Sequence, residues 1–251
     1  MIPKIIHYCW FGRGPKNELA LKCIESWKKY LPDYKFKEWN EDNFDVNMYA
    51  YTKEALENRK FAFVTDVVRL YALYTEGGIY MDTDVEVLKT FDPFLHHTMF
   101  SGFETNGYVP TGMMAAEKGS IWAKELLDDY NNRRFILDDR SFDTTTNTKV
   151  ITDYMKTKGL KLNNTYQDFP GLCTMYPCDY FCPKDHRTGA INCTKNTVCI
   201  HHFAGSWMNL TWWDKSRHYL KCCLTKVIGA KCSSFCSDLL TGRLFKGHKT
   251  Y

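Results

Sequence analysis

Asp82-Thr83-Asp84 follows directly on Gly77-Gly78-Ile79-Tyr80-Met81. Strand side chains alternate with period two, so a strand running into this tripeptide aims both carboxylates the same way. Two convergent carboxylates make a hard-oxygen site for Mg²⁺ or Mn²⁺, ions that take few protein ligands and complete their shell with substrate phosphates. Upstream, Thr65-Asp66-Val67-Val68-Arg69 sets a carboxylate and a guanidinium one helical turn apart. On a surface such a pair is worth about 0.5 kcal/mol or less. Its neighbours here are apolar, so the pair is either desolvated and internal or turned towards a ligand. Downstream, Cys199-Ile200-His201-His202-Phe203-Ala204-Gly205-Ser206-Trp207 gathers two imidazoles, a glycine turn, a hydroxyl and an indole. Imidazole suits Mn²⁺ as a third protein ligand, and Ser206 and the Trp207 N–H are donors for a diphosphate. On spacing alone, either histidine fills the ligand role.

These groups need elements to hold them. Lys4 to Trp10 reads as a buried strand, closed by the loop Phe11-Gly12-Arg13-Gly14-Pro15. Leu21, Ile24, Trp27 and Leu31 recur at helical spacing, so the pattern predicts a helix over 18–30 that Pro32 stops. A second strand is expected over 34–39. A second helix over 61–74 ends at Gly77-Gly78, where a left-handed cap is easiest, and Ile79 to Met81 forms a third strand. This alternation implies an α/β fold with a mainly parallel sheet, whose ligands bind beyond the carboxyl ends of the strands. Further helices are expected over 121–130 and 150–158, and residues 163–195 read as loop.

The chain has 251 residues, 44% of them apolar and 16% aromatic, which excludes a disordered or collagen-like chain. Its net charge of +4 is uneven: residues 215–251 hold eight Lys/Arg against Asp238 alone. A near-neutral body with a cationic end argues against a nucleic-acid protein. The division expected is a catalytic domain over 1–214 and a basic amphipathic extension over 215–251, suited to peripheral contact with an anionic membrane. With no apolar run long enough to span a bilayer and no leader read at the N-terminus, the expected location is cytoplasmic, at the inner face of the membrane. Eleven cysteines, crowded after Cys173, are expected as reduced thiols.

The strings IPKIIHYCWFG, FVTDVVRLYALYTEGGIYMDTDVEV and HHFAGSW, in this order, resemble glycosyltransferase family thirty-two, the DXD sugar transferases. That family includes capsular-polysaccharide enzymes and fungal mannosyltransferases, and its core is similar to that of the large glucosylating bacterial toxins. The resemblance implies a GT-A fold and Mn²⁺-dependent (or Mg²⁺-dependent) hexosyl transfer with retention. The donor would be a nucleotide-diphosphate sugar, a UDP-sugar being expected, and the acceptor a glycan or lipid-linked glycan in surface polysaccharide synthesis. It implies Asp66, Arg69, Asp82 and Asp84 as catalytic residues. Cys9 and Trp10 would line the base pocket, Tyr80 would pack near the ribose, and Ser206 and Trp207 would hold the β-phosphate. Asp82, Asp84 and His202 would hold the metal, with His201 the second choice. Where the family often has glycine-proline in the acceptor loop, this chain has Asp143-Thr144-Thr145-Thr146-Asn147, with Asn147 the candidate for a stabilising amide. Two other readings compete: a non-catalytic, cysteine-rich adaptor binding metal or anionic surfaces, and a nucleotide-sugar hydrolase on the same fold.

Overall fold

The structure is a computed structural model and describes residues 1–205. The elements run β1 (Ile5–Cys9), α1 (Glu18–Tyr30), β2 (Lys35–Trp39), α2 (Ala50–Glu57), α3 (Phe61–Thr75), β3 (Gly78–Met81) and β4 (Val85–Val87). They continue with β5 (Met99–Gly102), β6 (Met113–Ala116), α4 (Ile121–Asp128), α5 (Asn147–Thr157), β7 (Gln167–Phe169), β8 (Cys173–Tyr176), α6 (Cys178–Phe181) and β9 (Cys199–His201).

A seven-stranded sheet has the order β2-β1-β3-β6-β5-β8-β7, and β4 pairs with β9 in a separate two-stranded sheet. In the large sheet β1, β2, β3, β5 and β8 run one way while β6 and β7 run against them. The fold is thus α/β with a mainly co-directed sheet, as the alternation of strand and helix required. Period-two alternation splits the strands between two cores. Tyr80, Met114 and Ala116 pack with α3 and α4 on one face, and Ile79, Met81, Ala115 and Phe100 pack with Trp27 of α1 on the other.

Local chemistry explains the elements that carry the site. Asn17 caps α1 by accepting from the Ala20 N–H at 2.9 Å, and Ala20, Cys23 and Trp27 form its buried stripe. α3 is apolar nearly all round because α2 and α4 cover what the sheet leaves open. Its chain then turns through Gly77 and Gly78, whose φ of +70° and +120° favours glycine. A Cβ on Gly77 would stand 2.4 Å from the Lys118 backbone nitrogen, so the turn also needs glycine for space.

Residues 163–195 are not simply loop. β7 and β8 pair with each other, β8 joins β5, and α6 adds one helical turn. Strands of three and four residues are too short to display a period and form here through tertiary pairing. The basic extension over 215–251 lies outside the described residues, as do Ser206 and Trp207. No helix of the described residues is long and apolar enough to cross a membrane.

Candidate active site

Asp82 leaves the end of β3 with its N–H on the Gly112 carbonyl at 2.8 Å, and its own carbonyl accepts the Val85 N–H at 3.0 Å. The resulting turn presents Asp84 and feeds β4. α1 clamps β4 twice: the Trp27 indole N–H donates to the Val85 carbonyl at 2.6 Å, and the Val87 N–H donates to Ser26 Oγ at 2.9 Å. β9 runs antiparallel to β4, with His201 opposite Val85, and the His202 N–H donates to the Asp84 carbonyl at 2.9 Å. This small sheet carries an imidazole from late in the chain to the acidic turn.

His201 Nε2 stands 3.3 Å from Asp84 Oδ1 and 4.0 Å from Asp82 Oδ2, and the three ligand atoms lie within 4.8 Å of one another. Each carboxylate has one oxygen secured by the protein and turns the other towards the imidazole. Asp82 Oδ1 accepts the Tyr80 hydroxyl at 2.6 Å, and Asp84 Oδ2 accepts the Ala204 N–H at 2.7 Å. Burial opposes charge on Asp84, but His201 and the Ala204 N–H outweigh it and hold this carboxyl below the usual range. Burial likewise opposes charge on His201, yet Asp84 lifts it well above the ordinary imidazole value. An ion pair of this kind is what a divalent cation replaces when the imidazole gives up its proton.

Beside the triad sits a buried arginine hub. Arg69 Nη2 lies 3.1 Å from Asp66 Oδ1 and 3.6 Å from Asp82 Oδ1. Its Nη1 donates to the Thr111 carbonyl at 2.6 Å, and its guanidinium covers the Tyr80 ring at 4.8 Å. With its side chain 6% exposed, Arg69 orders the two carboxylates from within rather than presenting a free charge. Burial raises Asp66 to about 7; Arg69 opposes that shift and Asp82 adds to it.

The expectations separate accordingly. Asp66, Arg69, Asp82 and Asp84 lie together at one end of the sheet. His202 does not join them: consecutive strand residues face opposite ways, and its ring pairs with Glu86 at 2.8 Å while His201 faces the carboxylates. Tyr80 is 1% exposed and its hydroxyl donates to Asp82. Cys9 is also buried, its thiol against Tyr80 and Thr65, and burial pushes that thiol far up. Trp10 remains at the loop surface, its indole N–H on the Gly14 carbonyl at 2.7 Å and Lys16 over its ring. Asn147 is internal, donating to the Asp66 carbonyl at 2.9 Å and accepting from the Tyr130 hydroxyl at 3.1 Å. The described cysteines are free thiols.

Three features escaped the sequence: Thr111, whose carbonyl anchors Arg69; Gly112; and Glu104, a buried acid on the same loop. Gly112 gives room to the imidazole, since a Cβ there would meet His201 Nδ1 at 2.7 Å.

Residues 17–101 match the family described as glycosyltransferase sugar-binding region containing DXD motif. Within this stretch lie α1, α3, the Asp66–Arg69 pair and the acidic turn. The chain is similar to inositol phosphoceramide mannosyltransferase 3 of Schizosaccharomyces pombe, 30% identical over 125 residues, 47% of this chain and 34% of that protein. It is also similar to mannosyl phosphorylinositol ceramide synthase SUR1 of Saccharomyces cerevisiae, 30% identical over 107 residues, 40% of this chain and 27% of that protein. The chain therefore spans about a third of the length of these curated relatives. A solved glycosyltransferase involved in glycosylation of the major capsid of PBCV-1 aligns with a TM-score of 0.48 and 15% identity, over 82% of this chain and 95% of that one.

Proposed function

We propose that this protein is a metal-dependent, retaining hexosyltransferase that moves a sugar from a nucleoside diphosphate to a glycan or lipid-linked glycan. The observation that carries the reading is the pair of half-committed carboxylates: Asp82 and Asp84 each keep one oxygen for a shared point that His201 also faces. Two ligand atoms about 2.1 Å from one ion and at right angles stand about 3 Å apart. The 3.3 Å between Asp84 Oδ1 and His201 Nε2 fits that arrangement. Two carboxylate oxygens suit Mn²⁺ or Mg²⁺, and the imidazole favours Mn²⁺ of the two.

Bound there, a divalent cation supplies charge that stabilises the departing diphosphate. The chain's own groups do the rest. Arg69 fixes Asp66 and Asp82 so that neither has to reorganise as charge develops on the leaving oxygen. Asp66 takes hydroxyls of the donor sugar, and the half-buried Trp10 ring takes the base. Ser206 and Trp207, which lie outside the described residues, are assigned to the β-phosphate by the family resemblance alone. The bond from the anomeric carbon to the phosphate oxygen breaks while a bond to the acceptor hydroxyl forms on the same face. The acceptor's proton passes to the departing phosphate, so no protein base is required.

The two relatives bear mannosyl names and a ceramide-linked acceptor. They favour mannose as the sugar and a lipid-linked acceptor, which the basic extension would reach at an anionic membrane. The test is a panel of UDP- and GDP-hexoses, each assayed for Mn²⁺-dependent release of nucleoside diphosphate with and without lipid-linked acceptor. Donor turnover that acceptor accelerates and EDTA abolishes is expected. Turnover indifferent to acceptor would make the protein a hydrolase, and turnover that survives EDTA would remove the metal from the reading.

A further inference from the structure

Phe203 is used by none of the steps above, yet its backbone is strained. Its φ is +53°, in the left-handed region where a bulky side chain is an outlier. The other non-glycine residues found there, among those described, are Arg13, Arg59, Arg140 and Asn164. Strain of this kind persists only where the surroundings over-determine it, and it gathers at functional sites.

The acidic turn is what fixes Phe203. The pairing of Val85 with His201 continues for one residue, in the His202 N–H that donates to the Asp84 carbonyl at 2.9 Å. Continued in extended form, the same register would carry Ala204 on to Asp82. Instead the chain curls at Phe203, and the Ala204 N–H returns to Asp84 Oδ2 at 2.7 Å. The Lys184 ammonium holds the start of the curl, donating to the His202 carbonyl at 2.6 Å.

The curl also lays the Phe203 ring on the imidazole of His201, with centroids 4.1 Å apart and 34° between the planes. His201 has few other supports. Its Nε2 faces Asp84, while Nδ1 is buried and makes no hydrogen bond of good geometry among the described residues, though the Cys182 thiol neighbours the ring. Packing therefore sets the ring plane: Gly112 backs the Nδ1 edge, where a Cβ would stand 2.7 Å away, and Phe203 covers a face.

We propose that Phe203 is a positioning residue of the metal centre, whose left-handed backbone holds an aromatic ring on His201 and the Ala204 N–H on Asp84, so that one residue aims two of the three ligands. The assignment rests on the metal reading of the site given above. It makes the strain at Phe203 part of the site: relieving it costs metal binding and not folding.

Mn²⁺ binding, followed by the electron paramagnetic resonance of free Mn²⁺ in saturating UDP, tests it on the full chain without reliance on turnover. Phe203→Asn keeps a residue that tolerates the left-handed backbone and removes the ring. It is expected to weaken Mn²⁺ binding about tenfold, the usual cost of losing an outer partner. The melting temperature of the metal-free protein should stay unchanged, the lost ring contacts being offset by relieved strain. Phe203→Tyr, which keeps the ring, is expected to bind Mn²⁺ as the wild type does. If Phe203→Asn does not fold, Phe203→Leu, which keeps the bulk without the ring, carries the same direction of change. Wild-type Mn²⁺ affinity in a folded variant without the ring overturns the assignment, as does equal weakening by Phe203→Tyr. A metal-free melting temperature that falls in step with affinity would make Phe203 a packing residue and overturn it too. A wild type that binds no Mn²⁺ in the presence of UDP removes the metal reading, and this assignment with it.

Discussion

The two acidic clusters of this site are built on opposite plans. Asp66 and Arg69 sit one turn apart on a single helix, with side chains 12% and 6% exposed and joined at 3.1 Å. Asp82, Asp84 and His201 come from a strand end and from a short strand far along the chain, and their side chains are 13–25% exposed. The first cluster is internal and fixed by local spacing. The second stands at the rim and exists because β9 pairs with β4 in one register. The difference teaches which part should fail in stability and which in ligand binding: a buried pair is coupled to folding, whereas a rim triad is coupled to what it holds.

The largest expected effect falls on the rim. Asp84→Ala should lower metal-dependent turnover on the order of a thousandfold, the several kcal/mol that a catalytic cation contributes at about 1.4 kcal/mol per tenfold. Its circular dichroism spectrum should match the wild type. An Asp84→Ala protein that kept wild-type turnover would erase the contrast between the clusters. Next in size, Arg69→Ala should cost about 3 kcal/mol in urea unfolding, because it strands the buried Asp66 carboxyl and removes a partner from Asp82. Lost turnover without lost stability would mean that the arginine serves ligand alone. The double change Arg69→Met with Asp66→Leu should regain much of that stability while remaining inactive.

Legibility followed the same division. Asp66 and Arg69 could be paired from spacing because a helix turn brings i and i+3 together whatever surrounds them. The order β1, α1, β2, α3 was equally readable, since these elements run to five residues or more and the two helices stop at Pro32 and at Gly77-Gly78, whereas α2 and β4 were not read. His201 and His202 could not be separated. Alternation says that they face opposite ways, but the phase is set by the pairing of Val85 with His201, a contact across the whole chain. The burial of Tyr80 and Cys9 was hidden for a related reason: strand position told which element they end, not that Arg69 covers the Tyr80 ring and Asp82 takes its hydroxyl. β7 and β8 left no trace because three- and four-residue strands gain their definition from neighbours.

The histidine pair offers a finer test of register. His201→Ala should weaken Mn²⁺ binding at least about tenfold, in keeping with loss of one ligand of three. His202→Ala should leave Mn²⁺ affinity unchanged and cost about 1 kcal/mol or less, the worth of a partly exposed pair with Glu86. Titration calorimetry with Mn²⁺ and UDP reads both. The reverse ranking would mean that β9 is shifted by one residue against β4.

The smallest effect concerns the proton on Asp66. Burial raises this carboxyl from the ordinary 3.8 to about 7 despite Arg69 beside it. Between those values the folded chain keeps a proton that the unfolded chain has released. The stability this contributes is fully present below pH 3.8 and is lost as pH rises through about 7. Its slope is at most about 1.4 kcal/mol per pH unit. Asp66→Asn has no such proton to lose, so urea unfolding of the metal-free variant should show a flatter pH dependence between 4 and 7 than the wild type. Parallel curves for the two proteins would place the Asp66 carboxyl in the normal carboxylate range, fully ionised against Arg69. The helix pair would then be a settled ion pair like those on the surface, and the contrast with the rim triad would narrow to exposure alone.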